Sequence, residues 1–259
     1  MIGLIGGSGL YEIKGLRSIE EVEVKTPYGS PSDRIKIAEI DDIKIAFLPR
    51  HSHKHNIPPH RVNYRANLWA FKELGVERII AVNAVGGINS TYRPGDIVIP
   101  DQILDFSRSR ASTFYDNEDV VHVDFTYPFC PEMRNTISDE TLLQQYKLKI
   151  NGTYVCTEGP RLETAAEIRF FATAGGDMVG MTGMPEAILA RELELCYLMI
   201  AVITNYAAGI SKEKLTTTEV LETMKGTTEK VKDLIVQAIQ AFPKSRNCPC
   251  KDALNEARL

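Results

Sequence analysis

The chain of 259 residues has no apolar run long enough to cross a bilayer. Its longest, Leu195 to Ile203, stops far short of the roughly twenty residues a spanning helix needs and reads as a buried strand. It also lacks an excess of basic charge: 30 Lys and Arg stand against 34 Asp and Glu, for a net charge of −4. No general positive field is left for a nucleic-acid backbone, so neither nucleic acid nor membrane is an expected partner. The first apolar strand is not preceded by the basic stretch and cleavage site of a signal peptide, and a cytoplasmic setting is expected. Cysteine is sparse. Cys130, Cys156 and Cys196 sit among apolar residues and read as core thiols. Cys248-Pro249-Cys250 lacks the two-residue spacer of a redox pair and two further ligands for a metal. A local disulfide and a reduced, flexible tail both stay open for it.

Apolar residues make up 44% and charged residues 25%, the balance of a soluble domain whose core needs no staple at this length. No repeat or linker interrupts the chain. One domain over 1–259 is expected, with 241–259 as a C-terminal tail. Strand-like and helix-like stretches alternate, which argues for an α/β fold with a parallel or mixed sheet. Strands are predicted at 2–5, 43–48, 79–85, 96–99, 153–156, 178–181 and 196–204. Helices are predicted at 62–74, 163–173, 185–193 and from 216–218 onward, the last carrying Val220, Leu221, Met224, Val231, Leu234 and Ile235 mostly at helical spacing.

In such folds ligands gather at the carboxyl ends of strands. Gly6-Gly7-Ser8-Gly9, Arg50-His51, Asn83-Ala84, Met181-Thr182 and Asn205-Tyr206-Ala207 all fall at predicted strand ends. The glycine turn has Glu12 where a dinucleotide loop needs its third glycine, and it has no Walker lysine. An anion-binding turn with the Ser8 hydroxyl and a plain tight turn remain as alternatives. Arg50 suits a phosphate, which a guanidinium meets with two parallel hydrogen bonds, and the adjacent His51 imidazole is expected to donate another. His51, His53, His55 and His60 crowd together, but their spacing matches no metal motif, so no metal is expected there.

Several of these blocks occur together in one known family. Gly6-Gly7-Ser8-Gly9-Leu10, Pro49-Arg50-His51 with His55, Val62 to Asn67, Pro94-Gly95-Asp96, Pro128 to Pro131 and Glu158-Gly159-Pro160-Arg161 appear in order along the chain. From residue 2 to about 240 the sequence resembles the methylthioadenosine phosphorylase branch of the trimeric purine nucleoside phosphorylase family. The resemblance implies a central mixed sheet forming a distorted barrel flanked by helices, and a homotrimer or a hexamer made of two trimers. It implies phosphorolysis of a purine nucleoside in purine salvage, with inorganic phosphate as co-substrate and no cofactor or metal. Carried over residue by residue, Ser8, Arg50, His51, Asn83, Ala84 and Thr182 would meet phosphate. The Asn83 contact would run through backbone, because that branch carries threonine there. Met181 would lie under the ribose, and Leu162 would replace an aromatic that often stacks on the base.

Two departures from the branch concern the base. Its adenine-specific members carry Asp-x-Asp where this chain has Asn205-Tyr206-Ala207. An ionised carboxylate would set acceptor against acceptor at the O6 of hypoxanthine or guanine, whereas an asparagine NH₂ donates. Glu163 stands where the 6-oxopurine enzymes have a glutamate accepting from N1–H and the methylthioadenosine branch tends to have serine. Taken singly, Glu163 reads as a charge in a helix's first turn and Asn205 as a turn residue. Changed together at one edge of the base, they predict 6-oxopurine preference: inosine, guanosine or 5′-methylthioinosine. At the 5′ end Thr217 replaces an apolar contact, Val220 and Leu221 stay apolar, and His122 is placed to approach from a neighbouring subunit. The rival readings are a methylthioadenosine phosphorylase with an atypical base pocket and a nucleoside-binding sensor without turnover.

Overall fold

A computed structural model describes residues 1–10, 13–117, 119–211 and 216–258, with the side chains of Ser8 and Thr217 outside the described set. The expectations for the Ser8 hydroxyl and for Thr217 therefore lie outside the described residues.

Strand β1 (Ile2–Gly6) is buried along its whole length because it runs between two parallel neighbours, β4 (Ile43–Pro49) and β5 (Arg78–Gly87). A central parallel strand covered on both faces needs a near-continuous apolar sequence, and Ile2-Gly3-Leu4-Ile5 supplies it. β2 (Arg17–Val22) and β3 (Ile35–Ile40) extend the sheet antiparallel beyond β4. β6 (Ile97–Ile99), β7 (Gln102–Phe106), β8 (Lys149–Ile150), β9 (Thr153–Thr157), β10 (Met178–Gly180) and β11 (Cys196–Tyr206) complete an eleven-stranded mixed sheet. Its main path runs β2-β3-β4-β1-β5-β10-β9-β7, with β11, β6 and β8 branching from β5. Helices flank it: α1 (Tyr64–Glu73), α2 (Pro131–Ile137), α3 (Glu140–Tyr146), α4 (Ala165–Thr173), α5 (Gly183–Glu192) and α6 (Thr217–Ala241).

β5 is the hub. It pairs with β1 and β11 in parallel, and then its last two residues, Gly86 and Gly87, pair antiparallel with Val179 and Met178 of β10. The absence of side chains there admits a crowded junction: a Cβ on Gly87 would come within 3.1 Å of Ile203 Cγ2, and one on Gly86 within 3.4 Å of the Asn205 amide. The carboxyl ends of β1, β4, β5, β10 and β11 therefore reach one region.

The predicted strands and helices are found with ends moved by at most two residues. β2, β3, β7, β8, α2 and α3 were not foreseen. The C-terminal tail is not loose. After α6, Phe242, Cys248, Cys250 and Ala257 are buried, and a short 3-10 turn at Pro249–Asp252 carries the second cysteine. All five cysteines are free thiols.

Candidate active site

The strand ends enclose a cavity of about 850 Å³. Arg50 is one of its lining residues. The Arg50 N–H donates to Gly6 O (3.0 Å), fastening the end of β4 to the end of β1. Its guanidinium is buried and held from several sides: Nε and Nη2 donate to the two carboxylate oxygens of Glu186 (2.5 and 2.9 Å) and Nη1 to Val82 O (2.9 Å). Burial pulls the guanidinium's pKa down, but the Glu186 carboxylate more than offsets this and holds it above its ordinary value. Glu186 is itself wholly buried, and Tyr197 Oη donates to it (2.8 Å).

From Arg50 a hydrogen-bonded chain runs to Thr182. Arg50 Nη2 lies 3.5 Å from Asn83 Oδ1, and Asn83 Nδ2 donates to Thr182 Oγ1 (2.8 Å). Thr182 Oγ1 accepts there, so its own proton is available to a ligand. Asn83 itself does not line the cavity, whereas Ala84, Thr182, Gly7 and Gly9 do. The Asn83 side chain is thus a strut between Arg50 and Thr182.

His51 lines the same cavity. Its Nδ1 lies 2.7 Å from Ile57 O, a carbonyl that can only accept, so Nδ1 carries the proton. Burial, with the Arg50 charge beside it, pushes its pKa down to about 4. Near neutral pH Nε2 is therefore an acceptor. The donating imidazole expected from sequence is corrected: His51 can take a hydrogen bond from a P–OH group rather than give one. The neighbouring histidines separate in role. His55 also lines the cavity, His53 binds Asp33 at the surface (2.7 Å), and His60 Nδ1 has no partner among the described residues.

Glu163 and Asn205 line the same cavity. α4 starts later than predicted, at Ala165. Thr164 caps it, and Glu167 closes a reciprocal capping box. Glu163 precedes the cap and has no part in it; its carboxylate instead accepts from Thr157 Oγ1 (2.6 Å) and lines the cavity. Asn205 follows a bulge in β11, where Thr204 is the extra residue against Val85 and Gly86. Thr204 Oγ1 donates to Asn205 Oδ1 and Asn205 Nδ2 donates to Tyr206 O, both at 2.8 Å. These contacts fix which end of the amide is NH₂ and leave its second N–H without an acceptor among the described residues. Ala207 lines the cavity, while Tyr206 does not.

Met181 also lines the cavity. Gly159, at φ +65, lets it seat there: Met181 Sδ is 2.6 Å from where a Cβ would stand. Leu162 and, from the first turns of α6, Val220, Leu221 and Met224 form an apolar side. Leu162 and Leu221 are 53% and 69% exposed, so this side opens outward. His122 is exposed and outside the cavity; its N–H donates to Ala257 O (2.8 Å).

Sequence reasoning missed three groups that hold this geometry. Glu186 was legible only as a lone acid in the apolar stretch Met184 to Leu189. Arg110 donates to the carbonyls of Met181, Met184, Thr157 and Glu158 (2.6–3.1 Å), tying the loops after β9 and β10 together. Tyr154 Oη accepts from the N–H groups of Thr182 and Gly183 (3.2 and 3.1 Å). Nothing in the sequence marks the last two.

Residues 1–240 match the phosphorylase superfamily. The chain is 53% identical over 263 aligned positions to the 6-oxopurine nucleoside phosphorylase of Pyrococcus furiosus, covering 99% of this chain and 98% of that protein. It is 52% identical to the probable S-methyl-5′-thioinosine phosphorylase of Thermodesulfovibrio yellowstonii, covering 99% and 96%. Among solved structures, a methylthioadenosine phosphorylase from an antarctic soil metagenomic library superposes with a TM-score of 0.92 at 35% identity, covering 100% of this chain and 92% of that one. With most of its length matched to one family and relatives aligned end to end, the chain is an enzyme that belongs to the phosphorylase superfamily.

Proposed function

We propose that the chain cleaves 6-oxopurine nucleosides with inorganic phosphate, releasing the free base and ribose 1-phosphate. One observation carries the reading. Glu163 and Asn205, an acceptor and a tethered amide, line the same cavity as Arg50 and Thr182, and Ala207 stands beside them without a carboxylate. The relatives named as 6-oxopurine and methylthioinosine phosphorylases support it.

A phosphate oxygen bonds to C1′ as the C1′–N9 bond breaks, and the bonding pair moves into the purine. Arg50 and Thr182 supply donors to the phosphate, His51 Nε2 accepts its hydroxyl, and the backbone around Ala84 closes that end. Ser8 is assigned to the same anion. Met181 supports the ribose face, which becomes electron-poor in the transition state. Asn205 donates to O6 or N7 as negative charge grows there, and its tethering lowers the reorganisation needed at that moment. Glu163 accepts from N1–H, a proton adenine lacks. Phosphate is a co-substrate, and the reaction as drawn uses no resident cofactor.

A second reading concerns the 5′ end. Val220, Leu221 and Met224 present apolar side chains there, beside Lys225, Thr228 and Glu229 of the same helix, and the apolar part favours 5′-methylthioinosine over inosine and guanosine. Assembly as a homotrimer in the cytoplasm, serving purine salvage, belongs to the same proposal. The exposure of Leu162 at the mouth and of Phe170 (57%) on α4 supports a covering neighbour.

A substrate panel with phosphate tests it: inosine, guanosine, adenosine, 5′-methylthioinosine and 5′-methylthioadenosine. Each mismatched buried group costs about 1–3 kcal/mol, so the 6-oxopurines should exceed their adenine counterparts by roughly tenfold or more in kcat/KM. Equal rates on methylthioadenosine would return the atypical-pocket reading, and binding without phosphate-dependent base release would return the sensor.

A further inference from the structure

At the other end of β11 from Asn205, about 30 Å away at roughly 3.3 Å per residue, four cysteines meet. Cys130 precedes α2, Cys196 opens β11, and Cys248 and Cys250 flank Pro249 in the C-terminal turn. All four are buried, and their sulfurs lie within 4.8 Å of one another, with Cys196 and Cys248 at 3.3 Å. The two ligands that Cys248-Pro249-Cys250 lacks in sequence are supplied by the fold.

We propose that these four thiols form a structural tetrathiolate site for one zinc ion. Zinc takes four cysteine sulfurs at about 2.3 Å in a tetrahedron, which sets neighbouring sulfurs about 3.8 Å apart, inside the range seen here. Small apolar side chains would fill the same space without bringing four soft ligands from three separate segments to one point. The surroundings fix those segments too. Arg78, in register with Cys196 on the adjacent strand, donates to Glu132 Oε1 (3.0 Å) and Ser245 O (3.1 Å). Glu132 in turn accepts from the N–H of Asn247 (2.9 Å). One hydrogen-bonded network centred on the buried Arg78 thus clamps the residues flanking Cys130 and Cys248, as outer partners do around metal ligands. Arg78 is 5% exposed and its Nε–H has no acceptor among the described residues, leaving a buried donor beside a site that would carry net negative charge. Binding displaces four thiol protons to solvent and involves no electron transfer.

The test is the metal content of the untagged full-length protein, purified under reducing conditions without chelator, by inductively coupled plasma mass spectrometry. One zinc per chain is expected. Exchange with CoCl₂ should produce thiolate-to-cobalt charge-transfer absorption, and Cys250→Ser should lose both signals. The wild-type measurements stand even if that variant fails to fold. Protein that stays free of zinc after reduction, incubation with ZnCl₂ and gel filtration overturns the proposal. So does an intact mass short by two hydrogens for each bridged pair in protein purified under these reducing conditions, since the thiols would then be disulfides. Neither result bears on nucleoside phosphorolysis, because the site lies far from the cavity.

Discussion

Of the five N–H bonds on the Arg50 guanidinium, four point to acceptors within the protein: two to Glu186, one to Val82 O and a long one to Asn83 Oδ1. The fifth, on Nη1, is fixed in direction by the other four. Glu186 is therefore a positioning residue, and its effect should appear on phosphate alone. In Glu186→Gln a charge-assisted pair becomes a neutral contact, and a loss near 1.4 kcal/mol raises the phosphate KM roughly tenfold. Initial rates against phosphate at saturating inosine check this, with the nucleoside KM expected to stay within about twofold. His51 gives a second residue-scale consequence. Its folded pKa of about 4 lies below the ordinary 6.5, so between those values the unfolded chain binds a proton that the folded chain does not. Stability contributed by neutral His51 is complete above pH 6.5 and is lost as pH falls toward 4, by up to about 3 kcal/mol. Urea midpoints at pH 7 and pH 4.5 should differ less in His51→Asn than in the wild type.

Elements with a strong apolar pattern were legible from sequence, and those defined by partners were not. β1 is an apolar strand, β5 and β11 are apolar over most of their length, and α6 repeats its apolar positions over seven turns, so each was visible without the fold. β2 is exposed along almost all of Arg17–Val22 and exists because β3 offers it a ladder. Site residues divide the same way. Arg50, His51, Glu163 and Asn205 sit at strand ends or next to a helix start, where local signals are strong. Glu186, Arg110 and Tyr154 owe their roles to contacts more than 25 residues away. The start of α4 shows how one element sets one residue: Thr164 ends the loop, so Glu163 is free of capping and faces the cavity. Thr164→Ala should cost about 1 kcal/mol of stability through loss of the cap. If Glu163 selects the base, the same variant should raise the inosine KM while leaving the phosphate KM unchanged, which steady-state kinetics with each substrate varied in turn would read.

Across the molecule, the C-terminal segment joins regions that the strand order leaves apart. Phe242 follows α6 into the core, Arg246 Nη1 donates to Glu194 O (2.7 Å), and Arg78 reaches Ser245 O. Farther on, Val121 and Arg258 form a bridge, and Arg258 binds Asp119 (2.9 Å), so the last residues hold the loop that carries His122. Deleting 242–259 thus removes two different things. Phe242 alone accounts for about 1.5–3 kcal/mol of apolar burial. At about 2–4 °C per kcal/mol for a chain approaching this size, the melting temperature should fall by roughly 10 °C or more once the other buried residues are included. Loosening of the His122 loop is a separate effect that depends on assembly. If a neighbouring chain's His122 completes the 5′ end of the site, the substitution His122→Ala should raise the nucleoside KM without lowering the melting temperature. The truncated chain should then show both changes together. An unchanged nucleoside KM in His122→Ala would leave the C-terminal segment a stabilising strap with no part in substrate binding.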